Sequence, residues 1–347
     1  MKNVAIIMAG GKGERLWPRS RDNYPKQFLE IVPKKGSLLK QTVKRISPLI
    51  NIKDVYIVTS NKYKNIIIKQ LPNLPINNIL CEPEAKNTSP AINYASVVIK
   101  KKYDDAITFI LPSDHVILDD KEFLKTLKRA SRLAEQNYLV TLGINPTSPD
   151  TGYGYIKAKK DSDDVECFKE KPTLEKAKEY LKNGHYYWNS GMFIWKISTI
   201  LDAFDKYMNK QYIAFNKLFD KKITQSSINK MYHDLEAISI DYAIMEKAKN
   251  VKVIKSNFKW DDVGSWLSLS RLNKLDKDNN YLEGNVLAIN TKDSIVVSSN
   301  KLIATLGLDN VVIIETKDSV LITTKNKLKD IKEIRAKLKQ LKKKQYL

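Results

Sequence analysis

The 347-residue sequence predicts an α/β fold with a mostly parallel sheet, followed by a small β-rich unit and a terminal helix. Short, continuous apolar runs alternate with longer segments of helical periodicity through the first part of the chain. After about residue 280 the texture changes to β-rich runs at regular spacing. The last 23 residues return to a helical pattern that is strongly basic.

Val4 to Met8 is the first apolar run, as expected for a strand buried on both faces of a parallel sheet. Val55 to Thr59, Ile107 to Leu111 and Leu139 to Gly143 repeat the pattern. Between them, spacings such as Phe123, Leu127, Ala130 and Ala134 predict helices, and the alternation implies a parallel α/β sheet. Leu174, Ala177 and Leu181 share a face and Gly184 supplies a stop, so 174–184 reads as a helix. A further helix is expected from Asp241 to Lys249, ahead of a strand at Val251 to Ile254. The β-rich runs are Asn285 to Asn290, Ile295 to Ser299, Leu302 to Leu308, Val311 to Thr316 and Val320 to Lys325. Five such runs, punctuated by Gly284, Asn300, Gly307, Asp309 and Asp318, suggest a small all-β unit of β-helix type. A boundary between Asn273 and Asn285 gives a large domain over 1–275 and a β-rich domain with its helix over 280–347.

Composition narrows the function. The 42% hydrophobic and 29% charged content suits a water-soluble globular protein. No apolar run approaches the roughly 18 residues of a membrane span, and Gly10 to Arg15 interrupt the N-terminal run without a cleavage pattern, so a cytoplasmic protein with no membrane partner is expected. Cys81 and Cys167 allow one bridge at most. His115, His185 and His233 are scattered and read as structural or surface histidines, which argues against a zinc enzyme. The net charge is +21, of which Lys325 to Leu347 supplies +8. That tail carries Leu328, Ile331, Ile334, Leu338 and Leu341 at helical spacing, so it reads as an amphipathic helix packed on something. No nucleic-acid recognition module accompanies the charge, and a positive field also attracts small polyanions.

The first chemical signal is Ala9-Gly10-Gly11-Lys12-Gly13-Glu14-Arg15-Leu16, directly after the first strand. Three glycines in four positions permit a tight turn whose amides form a nest for phosphate oxygens. A P-loop is excluded because Gly-x-x-x-x-Gly-Lys-Ser/Thr is absent, and a dinucleotide fingerprint fails because Leu16 stands at the third glycine. Arg15, Arg19, Arg21 and Lys26 follow closely, the residue type that stabilises a departing pyrophosphate. Asp114, in Pro112-Ser113-Asp114-His115, lies at the carboxyl end of a sheet strand, where α/β folds bind ligands.

The run GGKGERLWPRSRDNYPKQF resembles the signature of the mannose-1-phosphate guanylyltransferases. The resemblance continues in order through CEPEAKNTSPAI (81–92), LPSDHVI (111–117), TGYGYIK (151–157), FKEKP (168–172), WNSGMFIW (188–195), SIDYAIMEKA (239–248) and WDDVGSW (260–266). It covers residues 1 to 270 well and the tail more loosely. It implies a Rossmann-like nucleotidyltransferase domain with a short C-terminal left-handed β-helix. It also implies transfer of GMP from GTP to mannose 1-phosphate, with release of pyrophosphate and with Mg²⁺ as cofactor.

By this resemblance Asp114 and Asp262 share the metal, and Asp262 rather than Asp261 matches the family's aspartate. Arg15 and Lys26 hold the triphosphate. The backbone of Ala9, Gly10, Gly11 and Gly13, with Ser113, meets its phosphates. Glu82, Pro83, Asn87 and Thr88 resemble the base-recognition loop, with a loop acid as the alternative for Glu82. Tyr153, Gly154, Glu170, Lys171, Asn189 and Asp262 carry the sugar phosphate, and Tyr155 and Trp188 are candidates for the pocket wall. No general base is required, because a phosphate monoester, with its second pKa near ~6, is already mostly a dianion at neutral pH. The short, single-function form of the family is expected, since residues 280 to 347 are too few for the isomerase domain of the long form. Its amphipathic tail and β-rich end predict a homodimer. The alternatives are another sugar 1-phosphate such as a manno-heptose phosphate, another nucleotide, a non-catalytic regulator of the same fold, and a nucleic-acid binder using the tail.

Overall fold

The apolar runs form the strands of one mixed sheet in the order Val251–Ser256, Leu139–Ile144, Tyr186–Lys196, Ala106–Pro112, Lys2–Met8, Val55–Ser60, Ile79–Glu82. The computed structural model describes residues 1–219 and 225–347. All pairs along this path are parallel except those of Tyr186–Lys196, which runs antiparallel to both neighbours. Tyr155–Ala158 and Val165–Lys169 add a hairpin on the same long strand. Val4, Ala5, Ile6 and Ile7 are all fully buried, which is why this strand shows no alternation of polar and apolar residues. Helices Thr88–Lys100 and Asp120–Glu135 pack on the sheet.

The described residues divide into two compact units. The first holds the sheet and comprises 1–10, 42–113 and 117–260. The second comprises 11–41, 114–116 and 261–347. In the second unit, Tyr281–Glu283, Ile295–Val297 and Val311–Glu315 stack in parallel, and Val320–Thr324 closes the stack antiparallel. Val286–Ile289 pairs in parallel with Ile303–Leu306 on a second face. Alternate strands stack in parallel on two separate faces as the chain coils, which makes this a β-helix-like element. Leu16, Trp17, Leu29 and Trp266 share one buried cluster with Tyr281, Ile295, Val312 and Ile331. The signature segment therefore belongs to the same core as the β-rich end. Trp266 Nε1 donates to the Trp17 carbonyl at 3.0 Å, and Trp17 Nε1 donates to the Tyr346 carbonyl at 2.7 Å. Burying an aromatic ring of this size contributes on the order of 1.5–3 kcal/mol, so these tryptophans are major anchors.

Several local expectations are corrected. Leu174–Asn183 is helical and Gly184 ends it with φ +76° as read, but Asp241 to Lys249 is no regular helix. Asp241–Met245 forms a wide π-turn in which the Glu246 amide bonds back to the Asp241 carbonyl at 2.9 Å. The strand Tyr281–Glu283, too short to show a pattern, lies ahead of the five expected runs. The terminal helix spans Ile331–Gln340, and its apolar stripe is broken. Leu328 and Ile331 are buried, but Ile334 and Leu341 are exposed. A 3₁₀ turn over Lys325–Asp330 shifts the phase of the stripe, and Arg335 takes the next buried position. Among the described residues no helix is long and apolar enough to cross a membrane.

Candidate functional site

In the second unit, Lys12, Gly13, Arg15, Lys26, Asp114, His115, Asp262, Val263 and Lys332 line a cavity of about 550 Å³. Its floor is built by the glycine turn. Gly13 has φ +59°, and a Cβ there would collide with the Lys26 Cβ, so only glycine lets the turn close over Lys26. The amides of residues 11–13 have no hydrogen-bond acceptor among the described residues, as a phosphate nest requires.

Lys26 is buried, and its ammonium lies 2.8 Å from Asp114 Oδ2 while also donating to the Asp262 carbonyl oxygen. Burial works to raise the Asp114 carboxyl, but Lys26 and His115 outweigh it and hold it below its usual range. Burial also lowers His115, against the pull of Asp114, and so favours neutral imidazole. The two neighbouring aspartates separate clearly. Asp261 is buried and accepts from Arg271 Nε at 2.6 Å and the Val263 amide at 2.7 Å. Asp262 faces the cavity, and its Oδ1 accepts from the Gly264 amide at 3.0 Å. Val263, the next residue, has φ +50°, a strained conformation for a β-branched side chain. Strain of about 1–3 kcal/mol persists only where packing enforces it, and Val263 is fully buried.

Arg19 and Arg21 correct the sequence reading. Arg19 pairs with Glu283 at 2.7 Å and Arg21 with Asp318 at 2.6 Å, so both tie the signature segment to the β-rich end. Arg15 lines the cavity.

The first unit holds two further clusters. Glu82 is buried, with the Tyr232 hydroxyl 3.4 Å from its Oε1, and its Oε2 faces Gly10. Burial pushes its pKa up to about 8, against a small opposing effect of the Tyr232 hydrogen bond. Pro83 follows it in the chain. Asn87, at φ +69°, accepts from the Thr88 amide, and Thr88 Oγ1 accepts from the Ile240 amide at 2.9 Å, so both shape the loop. Ser113 is buried, and its amide donates to the Met8 carbonyl.

The second cluster joins Gly154, Glu170, Lys171 and Asn189. The Asn189 amide donates to the Gly154 carbonyl at 2.8 Å. A Cβ on Gly154 would strike Glu170 Oε2, so the glycine makes room for that carboxylate. Glu170 pairs with Lys171, which sits at φ +42° with its side chain largely exposed. Tyr153 packs between Trp188 and Trp260, with ring centroids at 5.0 and 5.3 Å, and the Tyr155 ring is fully buried.

Sequence reasoning passed over Asp241, which accepts from Asn189 Nδ2 at 2.8 Å and fixes that amide's orientation. Its only sequence signal was its place in SIDYAIMEKA. Burial, then the charge of Glu170, raises its pKa from 3.8 to about 6. The folded protein therefore holds this proton more tightly than the unfolded chain. The resulting stability is complete below about pH 4 and is lost as pH rises through about 6. Asp241→Asn keeps an acceptor for Asn189 and removes the loss. It is expected to melt roughly 2–4 °C higher than the parent at about pH 7.5 and no higher near pH 4, as paired thermal melts will read. His115 and Lys332 were also missed, because neither carried a spacing signal toward Lys26 or Asp262.

A nucleotidyl transferase family model matches residues 4–279, and a MannoseP isomerase/GMP-like beta-helix domain model matches 284–338. A mannose-1-phosphate guanylyltransferase of Salmonella muenchen is 36% identical over 96% of this chain and 72% of its own length. The xanthan biosynthesis protein XanB of Xanthomonas campestris pv. campestris is 38% identical over 97% of this chain and 73% of its own. Among solved structures, one described as mannose-1-phosphate geranyltransferase from Thermus thermophilus superposes with a TM-score of 0.90 at 32% identity. The match covers 98% of this chain and 100% of that one.

Proposed function

Since the chain belongs to the nucleotidyl transferase family, within its mannose-1-phosphate guanylyltransferases, we propose that it transfers GMP from GTP to α-D-mannose 1-phosphate. The observation that carries this reading is the cavity in which Lys12, Arg15 and Lys26 surround Asp114 and Asp262 beside unused backbone amides. In the reaction a phosphate oxygen of the sugar forms a bond to the α-phosphorus, and the bond from that phosphorus to the bridging oxygen breaks. GDP-mannose and pyrophosphate result.

The amides of 11–13, with Arg15, bind the triphosphate and keep it in one orientation. Lys26, held by Asp114, presents fixed positive charge to the departing pyrophosphate without reorganising. Glu170 accepts from sugar hydroxyls, Asn189 is aligned for them by Asp241, and Lys171 meets the sugar phosphate as a point charge. Glu82 accepts from the guanine edge. The residues present also fit a divalent cation: two carboxylates lining one cavity, completed by substrate oxygens, are what Mg²⁺ takes. When bound, it supplies charge neutralisation at the phosphates. We assign residues 1–275 to the catalytic domain and 280–347 to the β-rich domain. The exposed Leu287, Ile289, Leu302 and Leu306 support a homodimer, which light scattering tests.

Accepting from both guanine N1–H and N2–H₂ takes both oxygens of an ionised Glu82, whereas burial raises its pKa to about 8 in the free protein and so favours the neutral acid at pH 7. GTP binding is therefore expected to release about one proton. Calorimetry in two buffers of different ionisation enthalpy reads it, and Glu82→Gln should abolish the release. Proton-neutral binding by the parent would remove Glu82 from the base site. The reading as a whole is tested by product analysis with GTP, UTP, dTTP and ATP. Formation of GDP-mannose with a clear guanine preference supports it, and indifference to the base sinks it.

A further inference from the structure

The basic tail has no role in the reading above, yet it reaches the cavity. We propose that the C-terminal helix supplies a substrate-binding residue, Lys332, which contacts the triphosphate and the pyrophosphate formed from it. This rests on the nucleotidyl-transfer reading of the same cavity.

Three observations within the second unit carry the inference. Lys332 lines the cavity together with Lys12, Arg15 and Lys26. The helix that bears it is fixed to the signature segment by the ion pairs of a buried arginine. Arg335 is 3% exposed, and its guanidinium lies 2.7 Å from Asp22 and 3.5 Å from Glu14. Lys332 and Arg335 are three residues apart and so lie on neighbouring positions of one helix face, which makes Arg335 a positioning residue for Lys332. The Tyr346 carbonyl, accepting from Trp17, fastens the chain again beyond the helix.

Charge decides the ligand. Lys26 is already paired with Asp114, and Glu14 with Arg335. Lys327 and Lys337 are engaged by Asp330 and Gln340, whereas Lys332 pairs with no carboxylate among the described residues. The uncompensated cations at the cavity are then Lys12, Arg15 and Lys332. Three flexible cations around a glycine turn with unused amides suit a chain of phosphates better than a single phosphate or a neutral sugar.

The test compares Lys332→Ala, Lys332→Glu and Lys332→Arg in the full chain. The KM for GTP in synthesis and the KM for pyrophosphate in the reverse reaction are both expected to rise about tenfold for alanine, the loss typical of one charge-assisted contact. They should rise further for glutamate and return to within about threefold of the parent for arginine. The KM for mannose 1-phosphate should stay within about twofold, and the melting temperature within about 1 °C, because the side chain is exposed. The proposal is overturned if both phosphate KM values are unchanged, if only the sugar-phosphate KM moves, or if all losses follow a drop in melting temperature. Calorimetric binding of pyrophosphate by parent and variants reads the same contact without turnover. A parent that binds pyrophosphate through Lys332 but makes no sugar nucleotide refutes the reaction and leaves this assignment standing.

Discussion

Lys26→Ala is expected to lower kcat about 10²–10³-fold, the cost of removing one fixed charge aimed at a developing anion. The geometry makes the loss larger than deletion of a surface cation would. Lys26 is buried under Gly13, and its ammonium is shared between the Asp114 carboxylate and the Asp262 carbonyl. Its removal takes away the positive charge and also the group that keeps those two positions in register. A second consequence separates this residue from a simple phosphate ligand. Asp114 titrates below its usual value chiefly because Lys26 and His115 outweigh the cost of its burial. A depressed carboxyl contributes stability that is present above its unfolded pKa and lost as pH falls through the folded one. The variant should lose that contribution at neutral pH, so its melting temperature should converge on the parent's in acid. Steady-state kinetics with each substrate varied, together with melts across pH, check both parts. A fall confined to mannose 1-phosphate affinity would move Lys26 to the other substrate.

The second large effect is expected for Asp262→Asn. Asparagine retains an oxygen to accept from the Gly264 amide, so the strained turn at Val263 is kept and the fold should survive. What is lost is a carboxylate able to hold a divalent cation. Several kcal/mol of charge stabilisation correspond to roughly a 10³-fold fall in kcat. Asp261→Asn provides the contrast. Its carboxylate is committed to Arg271 and the Val263 amide, so that variant should lose stability first. Near-parental turnover by Asp262→Asn at saturating Mg²⁺ would remove the residue from the metal site.

The parts of the fold legible in the sequence were those that depend on neighbours in the chain. The parallel strands announced themselves as unbroken apolar runs because both faces are covered, and the β-rich end as evenly spaced short strands. Gly184 marked a helix end because its conformation is set locally. Pairings between distant segments carried no such signal. Nothing in RLWPRSR distinguishes Arg15, which lines the cavity, from Arg19 and Arg21, whose carboxylates lie some 260 to 300 residues onward. The sequence reads as a helix from Asp241 to Lys249, whereas Asp241 opens a π-turn and its carboxylate accepts from the distant Asn189. The tail was read as one apolar stripe, but a 3₁₀ turn and a buried arginine break it. The signature motifs located the chemistry in order, and family resemblance, not spacing, joined Asp114 to Asp262.

The most direct test of the central claim is pyrophosphate release by the purified protein in GTP, mannose 1-phosphate and Mg²⁺, with each omitted in turn. Release is expected only in the complete mixture, with GDP-mannose formed in equal amount. Release from GTP without a sugar phosphate, or none from folded protein with any nucleotide, would contradict it.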